Sequence, residues 1–374
     1  MNIEFEKKIN IISDFLFIIR NHRMSKRIQT DGSITFADVI NKIKGMTKYP
    51  GLTFDQAKQI KDYYYPYKVS TLTHRQAYGL NGIFDPTLVP DEMYFAYINS
   101  YFNDVDKTKV LENKCLFSRI FKDIPQPETV CLRINNILLD PDFQLLDTDR
   151  LSGLLNKHEK LFLKIAEESR GGHGVYLLEK KQENDDMLEL FNKTIKNINA
   201  DIIVQKPIIQ HKQIAALHPQ SVNTMRLITL LEQDGVSLCN CFFRMGRNNM
   251  IVDNNGSGGI ICGIDENGCL RKYGYSGDER FEKHPDSGVV FKGYQLPSYK
   301  EAVEMVKKAH PLIPTSRLVS WDICINEDGT PLMIEANLSQ GGTGVQIVNG
   351  SFFGKRSREI VDIALKDSDY PKYK

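Results

Sequence analysis

The sequence has little that would hold a charged polymer or enter a bilayer. Its 48 lysines and arginines are matched by 47 aspartates and glutamates, for a net charge of +1. Such a chain offers no global field for a nucleic-acid backbone, so nucleic acid is not an expected partner. No apolar run reaches the roughly eighteen residues that span a membrane, which excludes a transmembrane protein. The stretch Ile9–Ile19 is interrupted by Asn10, Ser13 and Asp14 and preceded by Glu4 and Glu6, unlike a secretory signal. The seven cysteines are odd in number and include no C-x-x-C pair. Reduced, packed thiols in a cytoplasmic protein are expected, in preference to a disulfide framework or a cysteine-ligated zinc. Internal repeats, low-complexity tracts and long linkers are also missing.

What is present fills 374 residues, enough for two to three domains at about 150 residues each. The segment 1–112 reads as mainly helical. Ile9, Ile12, Leu16 and Ile19 recur at helical spacing, and the basic cluster Arg20, His22, Arg23, Lys26 and Arg27 follows. That cluster either touches a membrane surface peripherally or belongs to a helix packed on its own domain. From about Thr129 the texture changes to short β-rich runs: Leu161–Ala166, Ile202–Gln205, Met225–Leu231, Leu238–Phe243 and Ser320–Ile325. Helical stretches at Asp186–Asn197 and Tyr299–Ala309 lie among them. The pattern is α+β with hairpin-joined strands.

The most informative stretch is Ser320–Asn337. Two β-prone runs flank Asp328-Gly329, the strongest short hairpin signal. A two-residue turn there sets Asp322 opposite Glu335, with Asn337 on the face of Glu335. Facing carboxylates repel, so a sheet that keeps them implies a cation between them. Three oxygen ligands on one face suit Mg²⁺; the competing reading is a solvated sheet face. Trp321, Ile323, Ile325, Ile334 and Ala336 fit a core-packed opposite face in either case. Upstream, Leu161-Phe162-Leu163-Lys164 delivers a lysine ahead of Gly171-Gly172-His173-Gly174. A glycine loop lets backbone N–H groups approach phosphate, with the lysine as a point charge. The order is not that of a Walker A loop, and a plain tight turn is the alternative.

Taken in order, these pieces resemble an ATP-grasp enzyme. Lys114 opens the central part, Lys164 and the glycine loop follow, and Gln205-Lys206-Pro207 falls at the nucleotide hinge. The Asp322…Glu335-x-Asn337 magnesium set comes last. The resemblance narrows to the sugar-transfer-associated ATP-grasp proteins of cell-surface polysaccharide loci. It rests on His218-Pro219-Gln220-Ser221-Val222-Asn223-Thr224-Met225-Arg226, Phe243-Arg244-Met245-Gly246, Val252-Asp253-Asn254, Gly258-Gly259 and His284-Pro285-Asp286-Ser287-Gly288. It implies an ATP-grasp fold over 113–374, with a small lid subdomain over about 125–205 and a metal and substrate subdomain over about 206–374.

It also implies chemistry. ATP would activate a carboxylate to an acyl phosphate, which an amine or amino acid attacks to give an amide. Mg²⁺, in two ions, would sit on Asp322, Glu335 and Asn337, and Lys114 and Lys164 would hold the remaining phosphate charge. Gly171, Gly172, His173 and Gly174 would close over the γ-phosphate, His173 either reaching phosphate or facing solvent. Adenine contacts fall to the backbone around Gln205, where many relatives carry an acid, and ribose contacts to His211 or Gln213. Arg226 and Arg244 are the expected anion clamps. For both to share a face, the turn at Gln233-Asp234-Gly235 is expected to be a three-residue loop, setting Phe242 opposite Arg226. On the substrate side stand Asn223, Asp253 and Asn254 with Gly258 and Gly259 (pocket floor or long turn), and His284 (substrate contact or loop cap). A phosphotransferase and a non-catalytic nucleotide- or sugar-binding module are the alternatives. Oligomeric state is left open.

Overall fold

In the computed structural model the described residues are 49, 51–167, 174–182, 184–338 and 343–373. The helix expected around Ile9–Ile19 and the basic cluster at Arg20–Arg27 lie outside them, as do Gly171, Gly172 and His173. No helix among the described residues is long and apolar enough to cross a membrane. All seven cysteines are free.

Two antiparallel sheets organise the chain. The smaller contains β1 (Thr129–Ile134), β2 (Ile137–Leu139), β3 (Lys160–Ile165), β4 (Val175–Glu179) and β5 (Ile202–Gln205), in the order β2-β1-β5-β3-β4. Strand alternation explains its two faces. Leu161, Leu163, Ile202 and Val204 point to a core shared with Leu151, Leu155, Met187 and Phe191 of the helices Thr148–Leu155 and Met187–Ile195. Phe162, Lys164, Ile203 and Gln205 take the opposite face, because each lies one residue out of that phase.

The larger sheet has seven strands in the order β10-β9-β8-β7-β6-β11-β12. They are β6 (Thr224–Glu232), β7 (Gly235–Met245), β8 (Ile260–Ile264), β9 (Leu270–Ser276), β10 (Glu279–Phe281), β11 (Leu318–Ile325) and β12 (Pro331–Asn337). One face buries Met225, Leu227, Phe243, Trp321 and Ile323 beneath the helix Tyr299–Ala309, whose Ala302, Val303 and Val306 meet them. Full burial of each such aliphatic or aromatic side chain stabilises by about 1.5–3 kcal/mol. The other face is divided. Along most of it Ile228, Leu230, Phe242 and Leu318 share a core with Ile60, Tyr64, Tyr94 and Phe102 of the N-terminal helical run and with Phe352 and Ile360 near the C-terminus. Asn103 stitches that run to the sheet, its amide donating to Leu318 O at 2.8 Å and accepting from Leu318 N at 3.0 Å. At one end of this face the apolar side chains give way to Thr224, Arg226, Arg244, Asp322, Glu335 and Asn337.

Two registers decide which side chains reach that end. Asp322 does pair with Glu335, but the expected two-residue turn is corrected: Ile325 pairs with Pro331 and Ile323 with Met333. The connection is therefore a three-residue loop, Glu327-Asp328-Gly329, with Gly329 left-handed at φ 89°. A bulge at Ile334 then restores the Asp322–Glu335 pairing and takes Ile334 out of the core face it was expected to join. The β6–β7 hairpin is the mirror case. Arg226 does pair with Phe242, yet Glu232 pairs with Gly235, so the turn has two residues, Gln233-Asp234, and not three. A bulge at Cys239 supplies the missing shift and brings Arg226 and Arg244 to one face.

Candidate active site

Asp322 is the hub of the polar end. It is 3% exposed. Arg226, its cross-strand partner on β6, donates from Nε to Oδ1 at 2.5 Å and from Nη2 to Oδ2 at 2.7 Å. Arg244 donates from Nη1 to the same Oδ2 at 2.6 Å and from Nη2 to Asp253 Oδ1 at 2.9 Å. Asp253 Oδ2 in turn accepts from Thr224 Oγ1 at 2.5 Å. Burial opposes the Asp322 charge, but the two guanidiniums outweigh it and hold its carboxyl well below the usual carboxylate range. Asp253 is pushed upward by burial, with Arg244 offsetting part of the effect.

Beside this network stand Glu335 and Asn337. The Asn337 amide nitrogen lies 3.4 Å from Asp322 Oδ2 and 3.5 Å from Glu335 Oε1. Burial first, and the Asp322 charge second, raise the Glu335 carboxyl above its ordinary value. Lys114 Nζ lies 3.7 Å from Glu335 Oε2, at the first turn of the helix Lys114–Ile120, capped by the Asn113 side chain. From the smaller sheet Lys164 reaches toward the same place. Its Nζ donates to Gln205 Oε1 at 3.0 Å. Burial, then the charge of Lys114, lowers its pKa, while Glu335 pulls the other way. Two lysines from the side of the smaller sheet and an acidic, arginine-braced patch on the larger sheet thus face one cleft.

These donors fit a divalent cation. Asp322 and Glu335 bring hard carboxylate oxygens together from paired strands with the Asn337 side chain beside them, and burial and the Asp322 charge both resist the ionisation of Glu335. Both Asp322 oxygens are engaged by guanidiniums, which leaves Glu335 and Asn337 as the readier donors.

The other expected residues divide. Gln205 lies on the cleft face. Lys206 is turned to Glu128, 2.7 Å away, and Pro207 follows it out of β5. Gly174 immediately precedes β4 with φ 77°, its carbonyl accepting from Ile165 N at 2.8 Å. His211 caps its own short helix, Nδ1 accepting from Gln213 N at 3.3 Å, and Gln213 is exposed. Asp253 joins the network directly. Asn254 caps the turn 255–257 by accepting from Gly256 N at 2.7 Å, and Gly258 is left-handed at φ 104°. Gly259 packs so closely that a Cβ there would fall 2.5 Å from Asp253 O; this segment is a self-closing turn that holds Asp253.

Two residues are not brought to the cleft. Asn223 is buried, its amide donating to His218 O at 2.6 Å and accepting from Ser221 Oγ at 2.9 Å. It braces the loop before β6, because both polar atoms of its side chain are engaged internally. His284 is fully buried, donating from Nε2 to Gly246 O at 2.8 Å and accepting at Nδ1 from Asp286 N at 3.3 Å; of its two readings the loop cap is the one observed. Thr224, inside the quoted motif, was not singled out from sequence. Its register opposite Arg244 was the available signal.

An acidic cluster on the larger sheet thus stands beside Lys114 at a helix start and Lys164 on the smaller sheet. Residues 93–362 match the profile of the sugar-transfer associated ATP-grasp family, and the chain belongs to that family. No curated protein matches it. Among solved structures it is similar to the biotin carboxylase domain of Hydrogenobacter thermophilus 2-oxoglutarate carboxylase in complex with MgADP, ADP and bicarbonate, at 12% identity and a TM-score of 0.42, covering 71% of this chain and 47% of that one. It is also similar to the ATP-grasp ligase PsnB with a minimal precursor (14% identity, TM-score 0.39, covering 71% and 64%). A third is D-alanyl-alanine synthetase A of Vibrio cholerae (12%, TM-score 0.37, covering 72% and 66%). The chain thus spans between 47% and 66% of the length of these structures.

Proposed function

We propose that this protein is an ATP-dependent carboxylate–amine ligase that joins an amine or amino acid to a carboxylate, a sugar-borne one in surface-polysaccharide synthesis. The single observation that supports it is the convergence of Lys114 and Lys164 with Asp322, Glu335 and Asn337 in one cleft, bordered by Arg226 and Arg244, in a chain of the ATP-grasp family.

In this reading Lys114 and Lys164 bind the phosphates of ATP, and burial strengthens their attraction by excluding competing water. Glu335, Asn337 and Asp322 would hold Mg²⁺, which when bound neutralises phosphate charge. A carboxylate oxygen of the acid attacks the γ-phosphorus as ADP leaves. The amine nitrogen then attacks the acyl carbon, loses a proton, and phosphate departs. Arg226 spends Nε and Nη2 on Asp322, leaving Nη1 for an anionic substrate oxygen, and Arg244 is oriented by Asp253. The backbone around Gln205 contacts the base. The role of keeping water from the acyl phosphate would fall to Gly171, Gly172 and His173, which lie outside the described residues, together with Gly174.

The test is ADP release and product mass with uronic acids or nucleotide-linked uronic acids, each with and without amino acids. Ligation requires ADP release that depends on both partners and a product lighter by one water than their sum. A phosphorylated acid that accumulates unchanged by any amine supports phosphotransfer instead, and no ADP release with any pair rejects the enzyme reading. Glu335→Ala with undiminished ATP consumption would remove the metal argument.

A further inference from the structure

Away from the cleft, His218, His284 and Asp286 present ligand atoms within 4.8 Å of one another. They come from two distant pieces of chain, the loop before β6 and the turn after β10. Each histidine has its Nε2 proton committed to a backbone carbonyl: His218 to Met250 O at 2.9 Å and His284 to Gly246 O at 2.8 Å. Both Nδ1 atoms are therefore lone-pair acceptors. His218 Nδ1 is buried without a hydrogen-bond partner, in a side chain 1% exposed, and Asp286 Oδ2 lies 3.5 Å from it.

Two nitrogen lone pairs and a carboxylate aimed at one point repel unless something positive lies between them. His218 Nδ1 has no donor that meets that need. Asp286 N and Ser287 N donate to His284 Nδ1 at 3.3 and 3.4 Å, long bonds that an ion would replace. The turn is closed without them by Gly288 N to His284 O at 2.9 Å and His284 N to Val289 O at 2.8 Å. Asn248 N donates to Asp286 Oδ2 at 2.7 Å, leaving Oδ1 open. Gly246 belongs to the same construction, since a Cβ there would lie 2.6 Å from His218 Cδ2.

We propose that His218 Nδ1, His284 Nδ1 and the Asp286 carboxylate bind one Zn²⁺ ion, with water as the fourth ligand on the exposed Asp286 side. A histidine ligand whose other nitrogen donates to a carbonyl is the usual way a zinc ligand's tautomer and orientation are set. Two imidazoles and a carboxylate in tetrahedral array select zinc over the oxygen-seeking Mg²⁺. The ion ties the loop before β6, through His218, to the turn at 284–288, and the two histidines hold the Gly246–Met250 loop through Met250 O and Gly246 O. This site is independent of the ligase reading.

The experiment uses the full chain, stripped with chelator and titrated with Co²⁺ and then Zn²⁺. One equivalent of Co²⁺ should produce the visible bands of tetrahedral coordination, and Zn²⁺ should displace it. Asp286→Asn, on an exposed turn, and His218→Gln should each weaken Co²⁺ binding by more than the roughly 10–100-fold that loss of an outer partner costs. Asp322→Asn should leave the bands intact. Failure of the wild-type chain to give bands, or bands that survive both Asp286→Asn and His218→Gln, would overturn the site and leave only a contact between His218 and Asp286. Melting curves of each variant confirm that a lost band is not lost folding.

Discussion

Arg226 and Asp322 sit directly opposite each other on β6 and β11, and the guanidinium grips both carboxylate oxygens in a bidentate pair. The pair is nearly inaccessible to water, with side-chain exposures of 12% and 4%. Removing one member leaves an under-compensated buried charge, at a typical cost of about 3–5 kcal/mol. Arg226→Met should lose that much stability in a denaturant melt, and Arg226→Met with Asp322→Leu should recover part of it. A double variant that is as unstable as the sum of the single ones would show that the pair is not coupled.

Lys164 titrates below the ordinary lysine value of 10.5, because burial and Lys114 disfavour its charge. Its charged form is the one that attracts phosphate, so ATP affinity should fall as pH rises, starting before an ordinary lysine would deprotonate. Gln205→Glu puts a carboxylate where the amide oxygen now accepts from Nζ at 3.0 Å. That change should move the fall to higher pH while weakening nucleotide binding several-fold at neutral pH. Calorimetric titration across pH reads both effects; identical profiles for the two proteins would contradict this assignment.

His310 controls an acid-sensitive joint in the core. Trp321 Nε1 donates to Thr229 Oγ1 at 2.8 Å, Thr229 Oγ1 donates to His310 Nδ1 at 2.7 Å, and His310 Nε2 donates to Ser316 O at 2.9 Å. Burial drives the His310 pKa from 6.5 down to about 4. A group depressed in the folded state contributes stability that is fully present above its unfolded pKa. That contribution is lost as pH falls from 6.5 through about 4, and the shift is worth roughly 3 kcal/mol. His310→Gln should flatten this portion of the stability profile, leaving the share due to His74, lowered to about 4 by its own burial.

Gly259→Ala would place a methyl 2.5 Å from Asp253 O, a backbone atom that cannot swing aside. The expected cost is about 1–3 kcal/mol of stability. Asp253 orients Arg244, so the KM for the acid substrate should rise more than that for ATP. Equal changes in both would place the effect elsewhere.

Much of this was legible in the sequence because strand alternation and turn chemistry are local. The β-rich runs at Ile202–Gln205 and Ser320–Ile325 and the helix Tyr299–Ala309 form as their patterns indicate. The pairing of Asp322 with Glu335 and of Arg226 with Phe242 was also within reach. The turns behind those pairings were not. A bulge depends on how a strand must twist against both its neighbours, and nothing in Ile334 or Cys239 marks it as the extra residue. Asn223 was misplaced, and His284 left between two readings, for a related reason, since a polar residue in a motif can serve a buried turn as readily as a ligand.

The sequence by itself determined which residue types are available and which face of each strand they take, since alternation and hydrophobic phase are set within a few neighbouring residues. Only the tertiary structure decided that Asp322 is shared by two arginines, that Lys164 and Glu335 face one cleft across two sheets, and that His218 meets Asp286. Those meetings join segments tens to well over a hundred residues apart. They depend on strand order and bulges, which the packing of the whole core selects and no local pattern encodes.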